Sequence, residues 1–314
     1  MDRSGKPSRA VIEQGAPQLL ASRSCKAVFP ALVIAAGVSC AEPIETEPAP
    51  DVFLADLTLG DTAQVGVPKN VTNHSGYDNQ PFFTHDGQSI LYTCETEGQT
   101  DIHRFDIAGG ATERVTRTAE SEYSPTPMAG GSAFSTIRVE QDSTQRLWAF
   151  NLDGSGARLL LPDVAPVGYH AWVDSTSVAL FVLGSPPTLQ MTTLTSGTTT
   201  VEADNIGRSL HKVPDQRAVS YVRKISDSEW WIIVFDPAAH EHTRLVQTLP
   251  GREDYAWTPD RSLLMADSTT LYQWKRGWDD WSPIAELASH GVGPVTRLAV
   301  SPAGDRIALV SDVY

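Results

Sequence analysis

DYAWTPDRSLLM, residues 254–265, returns along the chain in altered copies: QPFFTHDGQSILY (80–92), SPTPMAGGSAFS (124–135), YHAWVDSTSVALF (169–181), SLHKVPDQRAVSY (209–221) and RLAVSPAGDRIAL (297–309). Each copy reads as a short strand, a tight turn rich in Asp, Gly and Pro, and an apolar strand. Asp and Gly in turns such as HDGQ (85–88) and PAGD (302–305) tolerate the left-handed backbone that a two-strand hairpin needs. A second set of segments lies out of phase with the first: DVFLADL (51–57), DIHRFDI (101–107), RLWAFNL (146–152), TLQMTTL (188–194), EWWIIVFDP (229–237) and TTLYQWKR (269–276). These supply a third strand, and turns such as NLDGSG (151–156) lead to a fourth. Four short strands repeating with a period in the forties are the mark of a β-propeller.

The count fixes how the ring closes. The last unit, 297–314, stops after two strands, and the first folded stretch, 51–72, supplies strands three and four with no partners before it. The two halves complete each other. The expected fold is all-β: six blades of four antiparallel strands, the last blade built from two C-terminal and two N-terminal strands. Such closure protects sheet edges and ties the ends of the domain together.

Three segments follow one another. Lys26 precedes AVFPALVIAAGVSC, whose apolar run is shorter than the roughly 20 residues that span a bilayer, so residues 1–40 read as a secretory signal. Gly37-Val38-Ser39-Cys40 resembles a bacterial lipobox, which makes Cys40 a lipidation candidate; cleavage after Ala41 is the alternative. Residues 41–50, AEPIETEPAP, are Pro- and Glu-rich and read as a disordered tether. Residues 51–314 are the propeller. Within it Cys94 is the single cysteine and is expected buried and reduced. These features place the chain in the bacterial cell envelope, in the periplasm or anchored to the outer membrane, with lipid contact only through Cys40.

The chain's 24 basic and 38 acidic side chains give a net charge of −14. A surface that acidic repels phosphate backbones, which argues against nucleic-acid binding.

DYAWTPDRSLLM, RLAVSPAGDRIAL and QPFFTHDGQSILY resemble the repeat of TolB-like propellers, roughly Ser-Pro-x-Trp-Ser-Pro-Asp-Gly before an apolar strand, and DIHRFDIAGGATERVT matches its second half. The resemblance spans 51–314. It implies the fold and leaves the activity open, because relatives include the TolB scaffold, peptidase propeller domains and an oligogalacturonide lyase. The helical domain that precedes the TolB propeller and the hydrolase domain of the peptidases have no counterpart in this reading.

Neither a Gly-x-Ser-x-Gly elbow, a His-Glu-x-x-His motif nor a phosphate-binding loop occurs. His240-Glu241-His242 could chelate a metal but sits beside a hairpin, and Asp153-Gly154-Ser155-Gly156 falls where other units turn. No cofactor or metal is expected. The start of each first strand is more informative, because in a propeller it lines the central channel and six such starts converge on one mouth. The candidates there are Asn79, Gln80, Glu122, Tyr123, Tyr169, His170, Arg208, Ser209, His211, Asp254, Tyr255 and Arg297. WKRGWDDWSP (274–283) offers a second surface if its tryptophans are exposed rather than packed between blades. The sequence supports a monomeric binding module that takes a protein or a small polar ligand at the mouth. The alternative is an envelope enzyme, a lyase or hydrolase of glycan or peptide, using the same mouth with His170 as base.

Overall fold

The computed structural model describes residues 49–313. The signal segment, Cys40 and most of the tether lie outside the described residues. The alternating pattern forms six antiparallel sheets, one per blade. Blade one holds Asp78–Phe83, Ser89–Thr96, Gln99–Asp106 and Ala111–Arg114; blade two, Ser121–Pro127, Ala133–Val139, Gln145–Asn151 and Arg158–Leu159. Blade three holds Val167–Trp172, Ser177–Val182, Thr188–Thr193 and Thr199–Asp204; blade four, Ile206–Lys212, Val219–Lys224, Trp230–Asp236 and Glu241–Gln247; blade five, Tyr255–Trp257, Leu263–Asp267, Thr270–Trp274 and Ser282–Glu286.

Blade six is the composite. Val295–Val300 pairs with Arg306–Val313, which pairs with Ala49–Thr58, and two short strands, Gln64–Val65 and Lys69–Asn70, take the outer position. The closing ladder runs from Ala49 opposite Val313 to Asp56 opposite Arg306. It starts two residues ahead of the boundary that composition set at 51.

The core divides into six apolar clusters, each filling the space between two neighbouring blades. Side chains that alternate along one strand serve opposite interfaces. In blade one, Ile90, Tyr92 and Cys94 pack with Val52, Ala308 and Val310 of blade six, whereas Leu91 packs with Phe134 and Phe150 of blade two. In blade four, Val219 and Tyr221 face blade three while Val222 faces blade five. The ring is complete because the blade five–six interface is filled in the same way, by Phe53, Ala55 and Leu57 from the closing strand against Leu264 and Leu271.

The tryptophan-rich stretch is mostly inter-blade packing. Trp274 and Trp281 are buried, and Trp281 Nε1 donates to the Gln247 carbonyl at 2.8 Å. Trp278 is half-buried at the edge of the same cluster. His242 stacks on Phe235 with ring centroids 4.4 Å apart, so the His-Glu-His segment is committed to packing and a solvated turn. Asp153 caps its own turn by accepting from the Ser155 amide at 2.9 Å.

Candidate functional site

Five of the six first strands carry a β-bulge near the end that enters the channel: at Asn79–Phe82, Tyr123–Thr126, Val167–Tyr169, Ile206–Leu210 and Val295–Arg297. A bulge breaks the strict alternation and re-aims side chains, a device common beside binding sites. In blades one and two the bulge residue takes a left-handed backbone, with φ of 58° at Gln80 and 54° at Ser124, and a proline follows each. Gln80 holds both bulges together, its Oε1 accepting from the Ser124 amide at 2.7 Å and from Thr93 Oγ1 at 2.9 Å.

The bulges border one opening at the channel mouth, lined by Gln80, Pro81, Phe82, Ser124, Pro125, Thr126, Tyr169, His170, Arg208, Ser209, Leu210, His211, Asp254, Tyr255, Arg297 and Leu298. Most of the residues singled out in the sequence thus meet there. Three do not. Asn79 is buried and accepts the amide of Gln80 at 2.7 Å. Glu122 is fully buried opposite Arg138, which donates to it at 2.9 Å. Tyr123 sits outside the lining, beside Tyr77. Tyr77, two positions before Asn79, escaped the sequence reading, yet its phenol lies within electrostatic reach of Arg297, Tyr169, Tyr123 and Arg208; burial pushes that phenol well above its usual range.

Arg297 organises the mouth. It enters from blade six and reaches Tyr169 of blade three, on the opposite side of the ring, donating to the phenol oxygen at 2.8 Å. Its guanidinium also lies 5.0 Å from the Tyr169 ring centre, a cation–π distance. Burial alone would weaken its charge, but Tyr169 and Asp254 more than offset that and hold the guanidinium firmly protonated. The bar divides the opening. On the side of blades four and five, Asp254 pairs with Arg208 at 2.6 Å and lies 3.6 Å from Arg297. Glu253 accepts the Arg208 amide at 3.0 Å and pairs with Lys224 at 3.1 Å. A side chain at Gly207 would collide with the Glu253 carboxylate, so glycine is what admits it. This side gathers three cations around two carboxylates, on a chain whose net charge is −14. On the side of blades one and two, Pro81, Phe82 and Pro125 line the wall, and Phe82 is 42% exposed.

His170 and Tyr255 reach the lining but work chiefly as staples between blades. Tyr255 Oη and Trp257 Nε1 both donate to Ser220 Oγ of the preceding blade, at 2.7 and 2.8 Å. At the equivalent place His170 Nε2 and Trp172 Nε1 meet Ser135 Oγ, at 2.6 and 2.9 Å. Each serine donates in turn to the carbonyl of its cross-strand partner, Thr126 or His211. With the Ser135 proton so directed, His170 Nε2 is the protonated nitrogen. Burial lowers the pKa of His170 to about 3, and chiefly burial lowers that of His211 to about 4, so both rings stay neutral near pH 7.

No protein-family model matches the sequence, and no curated protein matches it. The backbone does have likenesses. A TolB candidate from Agrobacterium tumefaciens superposes with a TM-score of 0.67 at 14% identity, over 84% of this chain and 99% of that one. TolB from Acinetobacter baumannii gives 0.55 at 14% identity, over 83% of this chain and 64% of that one. An oligogalacturonate lyase solved with manganese gives 0.53 at 13% identity, over 80% and 82%. The fold is therefore a TolB-like six-bladed propeller. At these identities the likeness concerns the backbone alone.

Proposed function

We propose that the chain is a binding module of the bacterial cell envelope whose channel mouth takes an acidic segment of a partner protein. The observation that carries this reading is the two-sided mouth. Arg208, Arg297 and Lys224 face only two carboxylates, Asp254 and Glu253, leaving donors and positive charge for an incoming carboxylate. Phe82 and the two prolines beyond the bar offer an apolar seat. An acidic group next to an apolar side chain matches both halves, and a peptide supplies that pair more readily than a sugar. The propeller solved in a nidogen–laminin complex, with a TM-score of 0.59, is an example of this architecture working in protein assembly. The envelope location rests on the signal-like residues 1–40 and the candidate lipidation at Cys40.

The test is capture from envelope extract by the wild type and by Arg208→Ala/Arg297→Ala and Phe82→Asp variants, with calorimetry on synthetic acidic peptides and on oligogalacturonate. Binding should weaken with salt, and either variant should reduce it at least tenfold. Identical partners for all baits sink the mouth as the site. Turnover or exclusive binding of oligogalacturonate transfers the mouth to the enzymatic reading.

A further inference from the structure

Away from the Arg297 bar, the seam between blades six and one holds a cluster that the binding reading does not use. His74 lies on the loop that leaves the closing strands, Asp78 opens the first strand of blade one, and Cys94 sits directly opposite Asp78 on the second strand. One ligand atom from each lies within 4.8 Å of the other two, and His74 Nδ1 is 3.6 Å from Asp78 Oδ2. We propose that His74, Asp78 and Cys94 bind a divalent transition metal of the zinc type, with the fourth position open to water.

The strongest argument is Asp78. Its side chain is wholly buried, and among the described residues neither carboxylate oxygen has a hydrogen-bond partner. Folded proteins do not leave a buried carboxylate so exposed to its own desolvation unless a proton or a cation compensates it. Asp51, next to it, is fully employed otherwise: it accepts from Asn70 Nδ2 at 2.6 Å, Thr72 Oγ1 at 2.7 Å and the His74 amide at 3.3 Å. Those bonds fix the loop that carries His74 and add a second negative charge beside the cluster.

The local backbone makes room for the histidine. A β-carbon on Gly76 would stand 2.9 Å from His74 Cε1 and 2.9 Å from the Glu95 carbonyl. Only glycine lets the ring lie against the strand beside Asp78. The hydrogen bonds of the Cys94 sulfur to the Glu95 carbonyl and Thr96 Oγ1 are long, both at 3.9 Å, so neither competes strongly for it. Tetrahedral zinc with bonds of about 2.0–2.3 Å sets its ligands about 3.3–3.7 Å apart, which the His74–Asp78 pair already meets. A nitrogen, an oxygen and a thiolate together suit a borderline-soft ion such as zinc or cobalt and ill suit magnesium or calcium. His74 is 39% exposed, which gives the ion a way in. On binding, the metal would displace the Cys94 thiol proton to solvent. The site would clasp the loop from the closing strands to blade one, three residues before Tyr77.

The experiment uses the tag-free full chain, stripped with chelator and returned to neutral buffer. Cobalt(II) should produce a thiolate-to-metal charge-transfer band in the near ultraviolet, saturating at one ion per chain and lost on adding one equivalent of zinc. Zinc should raise the thermal midpoint. Cys94→Ser should abolish the band, while Cys25→Ser/Cys40→Ser should leave it intact. His74→Ala, a change on the exposed side of the loop, should leave the chain folded and weaken zinc binding at least tenfold. The proposal is overturned by a folded, stripped wild type with no band at millimolar cobalt, by a band that survives Cys94→Ser, or by unchanged zinc affinity in folded His74→Ala.

Discussion

Ser220 joins two blades with one oxygen, and that makes its removal quantitatively predictable. Ser220→Ala leaves the Tyr255 hydroxyl, 1% exposed, without an acceptor, and takes one from the partly exposed Trp257 indole. A fully buried orphaned donor costs about 1–3 kcal/mol, and the part-exposed one costs less because water reaches it, so the variant should lose about 2–4 kcal/mol. Tyr255→Phe removes a single neutral hydrogen bond while Ser220 keeps Trp257 and the His211 carbonyl, so it should lose about 1 kcal/mol. In the double variant the orphaned hydroxyl no longer exists, and only the indole is left short. The pair should therefore cost about 2–4 kcal/mol less than the sum of the singles. Urea titrations with a shared slope measure this coupling directly. Losses that add to within about 0.5 kcal/mol would refute the staple, since independent sites add. Ser135→Ala should behave like Ser220→Ala, because His170 and Trp172 use it in the same way.

Deleting residues 51–72 removes most of the closing ladder and takes Phe53, Ala55 and Leu57 out of the blade five–six interface, so cooperative unfolding should vanish; a soluble, cooperatively melting truncation would disprove the closure. Arg138→Met strands the fully buried Glu122 carboxylate and should cost about 3–5 kcal/mol, part of which Glu122→Gln in the same chain restores; a double variant no more stable than the single would count against the pairing. Acid should destabilise the fold through its buried and half-buried histidines. His103, His170 and His211 are lowered to about 4, 3 and 4, in each case chiefly by burial, from an ordinary value of 6.5. Below pH 6.5 the unfolded chain therefore takes up protons that the folded chain refuses, and stability, full above about pH 7, drains away toward pH 4. In the metal-free chain Asp78 opposes this: burial raises it from 3.8 to about 6, so between those values the folded state holds the extra proton and its contribution is lost as pH rises. Asp78→Asn should steepen the acid loss, and a urea midpoint that stays level from pH 7 to 4.5 in that variant would contradict the histidine assignment.

What could be seen in the sequence, and what could not, follows from how each feature is encoded. The blades repeat, so weak copies such as SPTPMAGGSAFS are recognised beside strong ones, and the unmatched half-units at 51–72 and 297–314 reveal the composite blade. The mouth was traceable because every first strand begins at the same end of the channel. Glu122 and Asn79 lie off the lining because the bulges of blades one and two break the strand alternation there and leave both side chains buried. The staple did leave a signal, a tryptophan two residues after His170 and after Tyr255, with a serine in the second strand of the blade before. The His74–Asp78–Cys94 cluster left none, since only the pairing of Asp78 with Cys94 brings its members together.

The same distinction shows where function concentrates. A residue repeated from blade to blade answers to the ring, as Ser135 and Ser220 do. Arg208, Asp254 and Arg297 have no such counterparts. They stand at the first strands of three successive blades, four to six, whereas Gln80 and Ser124 set neutral, proline-backed bulges in blades one and two. A ring that needed only stability would have no use for that asymmetry, and the bar from Arg297 to Tyr169 sits on the boundary between its two halves. Arg297→Ala separates the roles: the largely buried guanidinium gives up its bond to Tyr169 while Asp254 keeps Arg208, so if the bar serves recognition the variant should lose no more than about 1–3 kcal/mol in urea while losing acidic-peptide binding. A loss of several kcal/mol with binding intact would make the bar a structural strut and return the asymmetry to packing.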